Sequence, residues 1–314
     1  MTQPTSPASR RWIGPLCAVL GVLGFSFKAI LIKVAYQSHP VDAITLLTLR
    51  MLYSAPLFLL MAAWTRRTAR AAPTSRADWL RLIWLGCIGY YLASLADFMG
   101  LQYITASLER LVLFLYPTIV VLLSALMLKQ PITRRAVLAL VLSYAGIALV
   151  FWHDLRFAGD PQATLAGGGL VFASAVLYAL YLVQAGGLIA RLGSARFISW
   201  AMLASTVFIV IQFLLTRPPS ALAVPGSLHA LSIAMAIFST VLPTWLIAES
   251  IRRMGANSAS LVGSLGPVFT IGLGAMILGE SVHAIQLAGA ALVLAGVMLV
   301  SVKPRTTGAP STAV

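Results

Sequence analysis

Ten stretches of roughly twenty apolar residues, joined by short connections rich in arginine, constrain this chain more than any motif in it. They run Ile13 to Tyr36, Ile44 to Trp64, Leu82 to Leu101, Leu108 to Leu128 and Val137 to Trp152, then Gly168 to Ala190, Phe197 to Leu215, Leu231 to Ala248, Ala259 to Leu278 and Ile285 to Val302. A bilayer core about 30 Å thick is crossed by about 20 apolar residues in a helix. Only structures that satisfy their own backbone hydrogen bonds can cross it. A water-soluble chain of 314 residues would also show far more charge than the 10% present here. The predicted fold class is therefore an all-α polytopic membrane protein with ten transmembrane helices.

The net charge of +14 does not indicate nucleic acid, because the basic residues lie in loops and not along one stripe or arm. With the N-terminus in the cytoplasm, the inner segments hold Arg10, Arg11, Arg66, Arg67, Arg70, Arg76, Arg81, Lys129, Arg134, Arg135, Arg191, Arg196, Arg252, Arg253, Lys303 and Arg305, against Arg156 and Arg217 outside. That asymmetry predicts a multi-pass protein of a bacterial-type inner membrane with both termini cytoplasmic. The first apolar stretch is too long for an ordinary signal peptide and is read as helix 1. The tails, 1–12 and 303–314, are rich in Pro, Ser and Thr and are expected to be disordered. Cys17 and Cys87 fall inside apolar stretches and read as packed thiols.

The chain repeats itself. "AGIALV" from Ala145 returns as "AGVMLV" from Ala295, an offset of 150, and the same offset carries Ala106 to Ala256, Pro117 to Pro267, Ala125 to Ala275, Leu128 to Leu278 and Gln130 to Glu280. Helices 1 and 6 align only loosely, nearer an offset of 153. The predicted organisation is one repeat over 13–152, an external linker over 153–167, and a second repeat over 168–302. Five is odd, so the second repeat enters the membrane upside down. Inverted repeats are characteristic of secondary transporters, which alternate access around a midplane site. A duplicated scaffold subunit with no pathway is the alternative from a different class.

Several of these residues carry a family resemblance: "GFSFKAILIKVAY" in helix 1, Arg50 within "LLTLRMLY", "GLQYITASLERLVLFLYPT" across helices 3 and 4, and "LGPVFTIGLGAMILGE" in helix 9. In these the chain resembles the drug/metabolite transporter superfamily, and within it the bacterial EamA-domain proteins of two five-helix repeats. The resemblance implies a ten-helix permease for metabolites or amino acids, often an exporter, and leaves the substrate open. The family usually has an acidic residue after helix 4 and after helix 9. Glu280 matches that pattern and Gln130 departs from it.

Ionisable residues within a bilayer are costly and mark function by default. Lys28, Lys33, Arg50, Asp97, Glu109 and Arg110 all fall in the outer half of the first repeat. Arg50 is expected about 9 Å inside the apolar boundary, whereas Lys33 can snorkel to the rim. Tyr90, Ser94 and Asp97 share one helical stripe. Asp97 either pairs with Arg110 or Arg50, or lines the pathway and meets a substrate ammonium or a proton. Glu109 and Arg110 point about 100° apart and cannot easily bridge each other. Glu109 is expected to meet Lys28 or Lys33, and Arg110 to meet Asp97, as an outer gate formed with Lys33. Four positive against two negative groups leave an excess that favours an anionic substrate, with Lys28 and Arg50 as the carboxylate partners. Glu249 is expected to pair locally with Arg252 and Arg253.

Pro117 and Pro267 interrupt equivalent helices, which is the best sequence pointer to a transporter's binding site. The stripe Ser260, Ser264 and Pro267, the face Ser174, Tyr178 and Tyr181, and Tyr116 complete an amphipathic candidate cavity. No Walker A, HExxH or GxSxG sequence occurs, and no nucleophile and base accompany Asp97 or Glu109. The prediction is a non-enzymatic secondary transporter, without cofactor or metal, that moves an amino acid or related carboxylate, with protons as a candidate coupling ion. A cationic drug or a sugar is the alternative cargo.

Overall fold

The computed structural model describes residues 9–68, 75–254, 259 and 262–301. The C-terminal tail, the N-terminal tail up to residue 8, Ala256 and Ser260 lie outside the described residues. The described chain folds into ten apolar helical spans: α1 Trp12–Ser38, α2 Ala43–Thr65, α3 Arg76–Gly100, α4 Ala106–Leu128, α5 Arg134–Phe157, α6 Pro161–Leu192, α7 Ser194–Thr216, α8 Gly226–Met254, α9 Gly266–Leu278 and α10 Ala284–Leu299. The first eight are long and apolar enough to cross a membrane, and the last two are shorter within the described residues.

Within the segment 153–167 only three residues lie outside the helices, because α5 runs through Phe157 and α6 starts at Pro161. Local chemistry explains the extra helix. Asp160 accepts hydrogen bonds from the Gln162 and Ala163 amides, and Pro161 occupies the first turn, where its missing N–H costs nothing.

The duplication is visible in the backbone. α3 and α8 each contain a π-helical segment, Cys87–Leu92 and Ile237–Val241, starting 150 residues apart. The helical run through α4 breaks at Phe114 and Leu115, just before Pro117, and α9 follows the same break at Ser264 and Leu265, just before Pro267. Leu115 donates to Val112 O at 3.1 Å, and Leu265 to Val262 O at 3.0 Å. Both helices then leave through a left-handed residue, Lys129 (φ 54°) and Gly279 (φ 67°).

The two repeats pack by exchange. The main helix pairs are α5 with α10, α1 with α8, α2 with α7 and α3 with α6, and each takes one member from each repeat. Lipid is as apolar as leucine, so close van der Waals approach holds such pairs together. At the α5–α10 crossing a Cβ on Gly146 would lie 2.6 Å from Gly289 O, and one on Gly296 would lie 2.6 Å from Ala139 O. These two contacts exchange under the 150-residue offset, as an inverted two-fold requires.

Candidate functional site

The buried charges collect on α1, α3 and α4. Lys28 Nζ lies 2.6 Å from Asp97 Oδ2 and 3.7 Å from Glu109 Oε1, so one ammonium from α1 ties α3 to α4. Asp97 is 1% exposed and Glu109 0%, which puts both carboxyls out of reach of water. Buried charges of this kind persist only when paired. Of the two partners expected for Glu109, the structure selects Lys28. Lys33 instead donates to the Leu101 and Ile104 carbonyls at 3.1 and 3.0 Å, where α3 ends and α4 has not yet begun. It anchors the α3–α4 connection and makes no ion pair among the described residues.

Two sequence expectations are corrected by this arrangement. Arg110 does not pair with Asp97, whose near oxygen is taken by Lys28. Nor is Lys28 free to meet a substrate carboxylate. Arg50 is 5% exposed, with its guanidinium carbon 5.0 Å from the centre of the Phe98 ring, and so packs against α3. Its Nε has no partner among the described residues.

The stripe Tyr90, Ser94 and Asp97 is also corrected. The π segment adds a residue to the turn, so Ala93 N–H bonds Ile88 O five residues back and the face rotates. Tyr90 then meets α6, its hydroxyl 2.9 Å from that of Tyr181, while Asp97 meets α1. Ser94 is half-buried between them.

Tyr90 and Tyr181 belong to a chain of rings. Tyr181 stacks on Tyr178 with centroids 5.5 Å apart, and Tyr178 meets Tyr116 edge-on at 5.2 Å. α3, α4 and α6 thus share one aromatic wall, with Ser174 buried one turn from Tyr178 on α6. Arg110 is the charged group beside Tyr116 and Tyr178. Its guanidinium lies against Gly266 of α9, where a Cβ would stand 2.7 Å from Nη2. Pro267 and Ser264 flank that glycine, both buried, and Pro117 flanks Tyr116 on α4. Next to the same glycine, Ser26 of α1 donates to Gly266 O at 3.1 Å. Arg110 is half-buried, its Nε has no partner, and no acid lies in ion-pair contact with it among the described residues. A guanidinium with no ion pair among the described residues, near two tyrosines and between the two repeats, can hold an anionic group.

The two ends of this site differ. Toward the arginine-rich face a cavity of about 460 Å³ opens between α3, α4 and α6, bounded by Trp84, Gln184 and Arg191. On α6, Gln184 stands one turn from Tyr181, so the cavity adjoins the aromatic wall. Trp84 donates to Gln184 at 3.3 Å, and Arg191 holds Asp78 through two bonds of 3.0 and 2.8 Å. On the same face Glu249 accepts from both Arg252 and Arg253 at 2.6 Å.

Toward the other face the repeats are joined. Glu280 Oε1 accepts the Ala106 amide at 2.7 Å, and Oε2 accepts the Ser107 amide at 3.2 Å and the Ser107 hydroxyl at 2.6 Å. Glu280 is a third acid beside the six outer charges of the first repeat. Its arrival at α4 reduces the cationic excess from two to one. A sequence signal existed, since Glu280 is the repeat counterpart of Gln130, but nothing in the spacing gave its partner.

The model of the EamA-like transporter family matches residues 12–152 and 165–302. The "Uncharacterized transporter YcbK" of Bacillus subtilis is 30% identical over 88% of this chain and 88% of its own length. "Protein PecM" of Dickeya dadantii is 26% identical over 71% and 74%. A solved structure titled "Crystal structure of protein" superposes with a TM-score of 0.63 at 19% identity, covering 94% of this chain and 96% of that one, which shows the shared fold. Two family matches divide the chain as its backbone repeat does, so this membrane protein belongs to the EamA-like transporter family.

Proposed function

We propose that the chain is a secondary transporter that exports a small organic metabolite bearing a carboxylate, most simply an amino acid or a related acid, by alternating access. Arg110 carries this reading: a half-buried guanidinium between the repeats that makes no ion-pair contact among the described residues and lies within electrostatic reach of Tyr116, Tyr178 and Glu109. The aromatic wall gives the rest of such a metabolite an apolar surface with hydroxyls at its edge. The arginine-rich face is the cytoplasmic one in this reading, and the membrane is the bacterial inner membrane. A Salmonella typhimurium relative, 26% identical over 74% of this chain, is named "Uncharacterized inner membrane transporter YicL", which supports that membrane. A cationic cargo is less favoured, because Lys28 already occupies Asp97 and stands 3.7 Å from Glu109.

The test is counterflow in proteoliposomes with a mixture of metabolites, read by mass spectrometry with and without a pH gradient. Carboxylated compounds are expected to exchange. Arg110→Gln is expected to lower their flux about 10- to 100-fold, the equivalent of losing one charge-assisted bond of about 1.5–3 kcal/mol. Unchanged flux of every carboxylated compound in a correctly inserted Arg110→Gln protein would remove the anion site. No exchange of any compound would favour the scaffold.

A further inference from the structure

The bond between Glu280 and the start of α4 is the place where the second repeat grips the first. Every helix begins with amide N–H groups that lack a partner inside the helix, and an anion there is favoured by the helix dipole. At Ala106 and Ser107 that anion comes from the far repeat, 174 and 173 residues away in sequence. Thr105 supplies the next cap, its hydroxyl accepting the Leu108 amide at 3.1 Å. Both carboxylate oxygens of Glu280 are used, in charge-assisted bonds of the stronger class.

Two backbone features aim the carboxylate. Gly279 is left-handed, which turns the chain back at the end of α9. Gly274 leaves room for the returning side chain, since a Cβ there would stand 2.7 Å from Glu280 Oε2. The site of Arg110 lies one turn further along the same α4 segment, Ala106–Leu113. The end of α9 therefore touches the same α4 segment that carries Arg110.

At the other end of α4 the same exit is built, and its chemistry is missing. Lys129 is left-handed like Gly279, and the Gln130 amide bonds Ser124 O as the Glu280 amide bonds Gly274 O. Gln130 therefore stands where Glu280 stands in its own repeat, but it carries no charge. Packing shows a narrower asymmetry: both parts of α4 pack on α6 and α5, but the first part adds α9 and α1, whereas the second part, Tyr116–Leu128, adds α10.

We infer that Glu280 is a gating residue, an ionic latch that holds the two repeats together at the face opposite the arginine-rich one and sets the resting state closed there. This rests on the alternating-access reading, and deepens it by naming the contact that must break. Opening that face separates α9 from α4 and costs the three charge-assisted bonds of Glu280, leaving the Ala106 and Ser107 amides to be capped by water.

The experiment reads conformation without transport. Cys17→Ala and Cys87→Ser remove the native thiols, and spin labels at Gln102→Cys and Ser281→Cys, both exposed, report the gap across the latch in lipid nanodiscs by double electron–electron resonance. The parent is expected to give one dominant short distance. Glu280→Gln is expected to raise a longer-distance population several-fold, Ser107→Ala to raise it less, and Glu280→Asp to hold most of the short population. Ser107→Ala keeps both backbone amides and the helix start, so it answers even where Glu280→Gln does not yield monodisperse protein. A distribution identical to the parent in every monodisperse variant overturns the latch. Such a result together with intact flux leaves transport standing without it, and a shifted distribution in a chain that moves nothing keeps the latch and defeats the transport reading.

Discussion

The two repeats share a backbone and differ in chemistry. In the first, Asp97 and Glu109 are buried with Lys28 between them, and Arg110 projects toward the second. At the 150-residue offset the second repeat has Ile247, Ala259 and Ser260 in place of Asp97, Glu109 and Arg110, and Thr240 in place of Tyr90. Yet the π segments of α3 and α8, the breaks before the prolines and the left-handed exits coincide, and the π turn Gly274–Leu278 of α9 has no counterpart in α4. The fold thus depends on apolar length and close helix contact, which both halves have.

The most severe way to break that contrast is to remove the ammonium. Lys28→Ala leaves two carboxyls buried without a cation, and is expected to cost about 3–5 kcal/mol. Thermal unfolding in detergent should show the loss, and adding Asp97→Asn should recover part of it; no recovery would mean that Lys28 is not the partner that matters. The aromatic wall, to which the second repeat contributes Tyr178 and Tyr181, should be far more tolerant. Tyr181→Phe deletes only the hydroxyl contact with Tyr90, worth about 1 kcal/mol.

The shared part of the comparison is sharpened at the α5–α10 crossing. Gly146→Val and Gly296→Val each press a side chain onto a backbone carbonyl, and each is expected to lose about 1–3 kcal/mol. Equal losses in matched unfolding curves would support an inverted two-fold in energy as well as geometry, and a large difference would confine it to geometry.

The smallest effect is expected at the rim, where Asp42 caps α2 through the Ile44 and Thr45 amides and meets Arg217 at 3.3 Å. Partial burial raises the affinity of this carboxyl for protons, but bonds from Thr45 and Arg217 outweigh it and hold its pKa below the ordinary value. Its contribution is therefore complete above the unfolded carboxylate range and fades as pH falls through the lower folded value. Side chains 36% and 37% exposed are well screened, so Asp42→Asn should cost under about 1 kcal/mol at neutral pH. Melting curves of the two proteins should converge in acid, and a gap that persists there would assign the effect to capping alone.

Apolar length and self-similarity made the ten spans and the duplication readable from sequence, because both properties belong to whole segments. The partners of single residues were less readable. Tyr90 and Asp97 were assigned to one face by α-helical spacing, and the π turn between them sent one to α6 and the other to α1. Lys28 was assigned to substrate and Arg110 to Asp97. That Lys28 takes Asp97 depends on which cation reaches it across the helix packing, and spacing along one chain contains no such distance. Glu280 was noticed for its place in the repeat, while its reach to Ala106 needed the left-handed turn at Gly279 and the opening at Gly274.

The matched π segments say something about descent. An extra backbone residue at one register in two halves is more simply inherited than gained twice. The five-helix unit then contained it before the gene was doubled, and a lone unit of this kind could bury its crossing glycine only against an upside-down copy of itself.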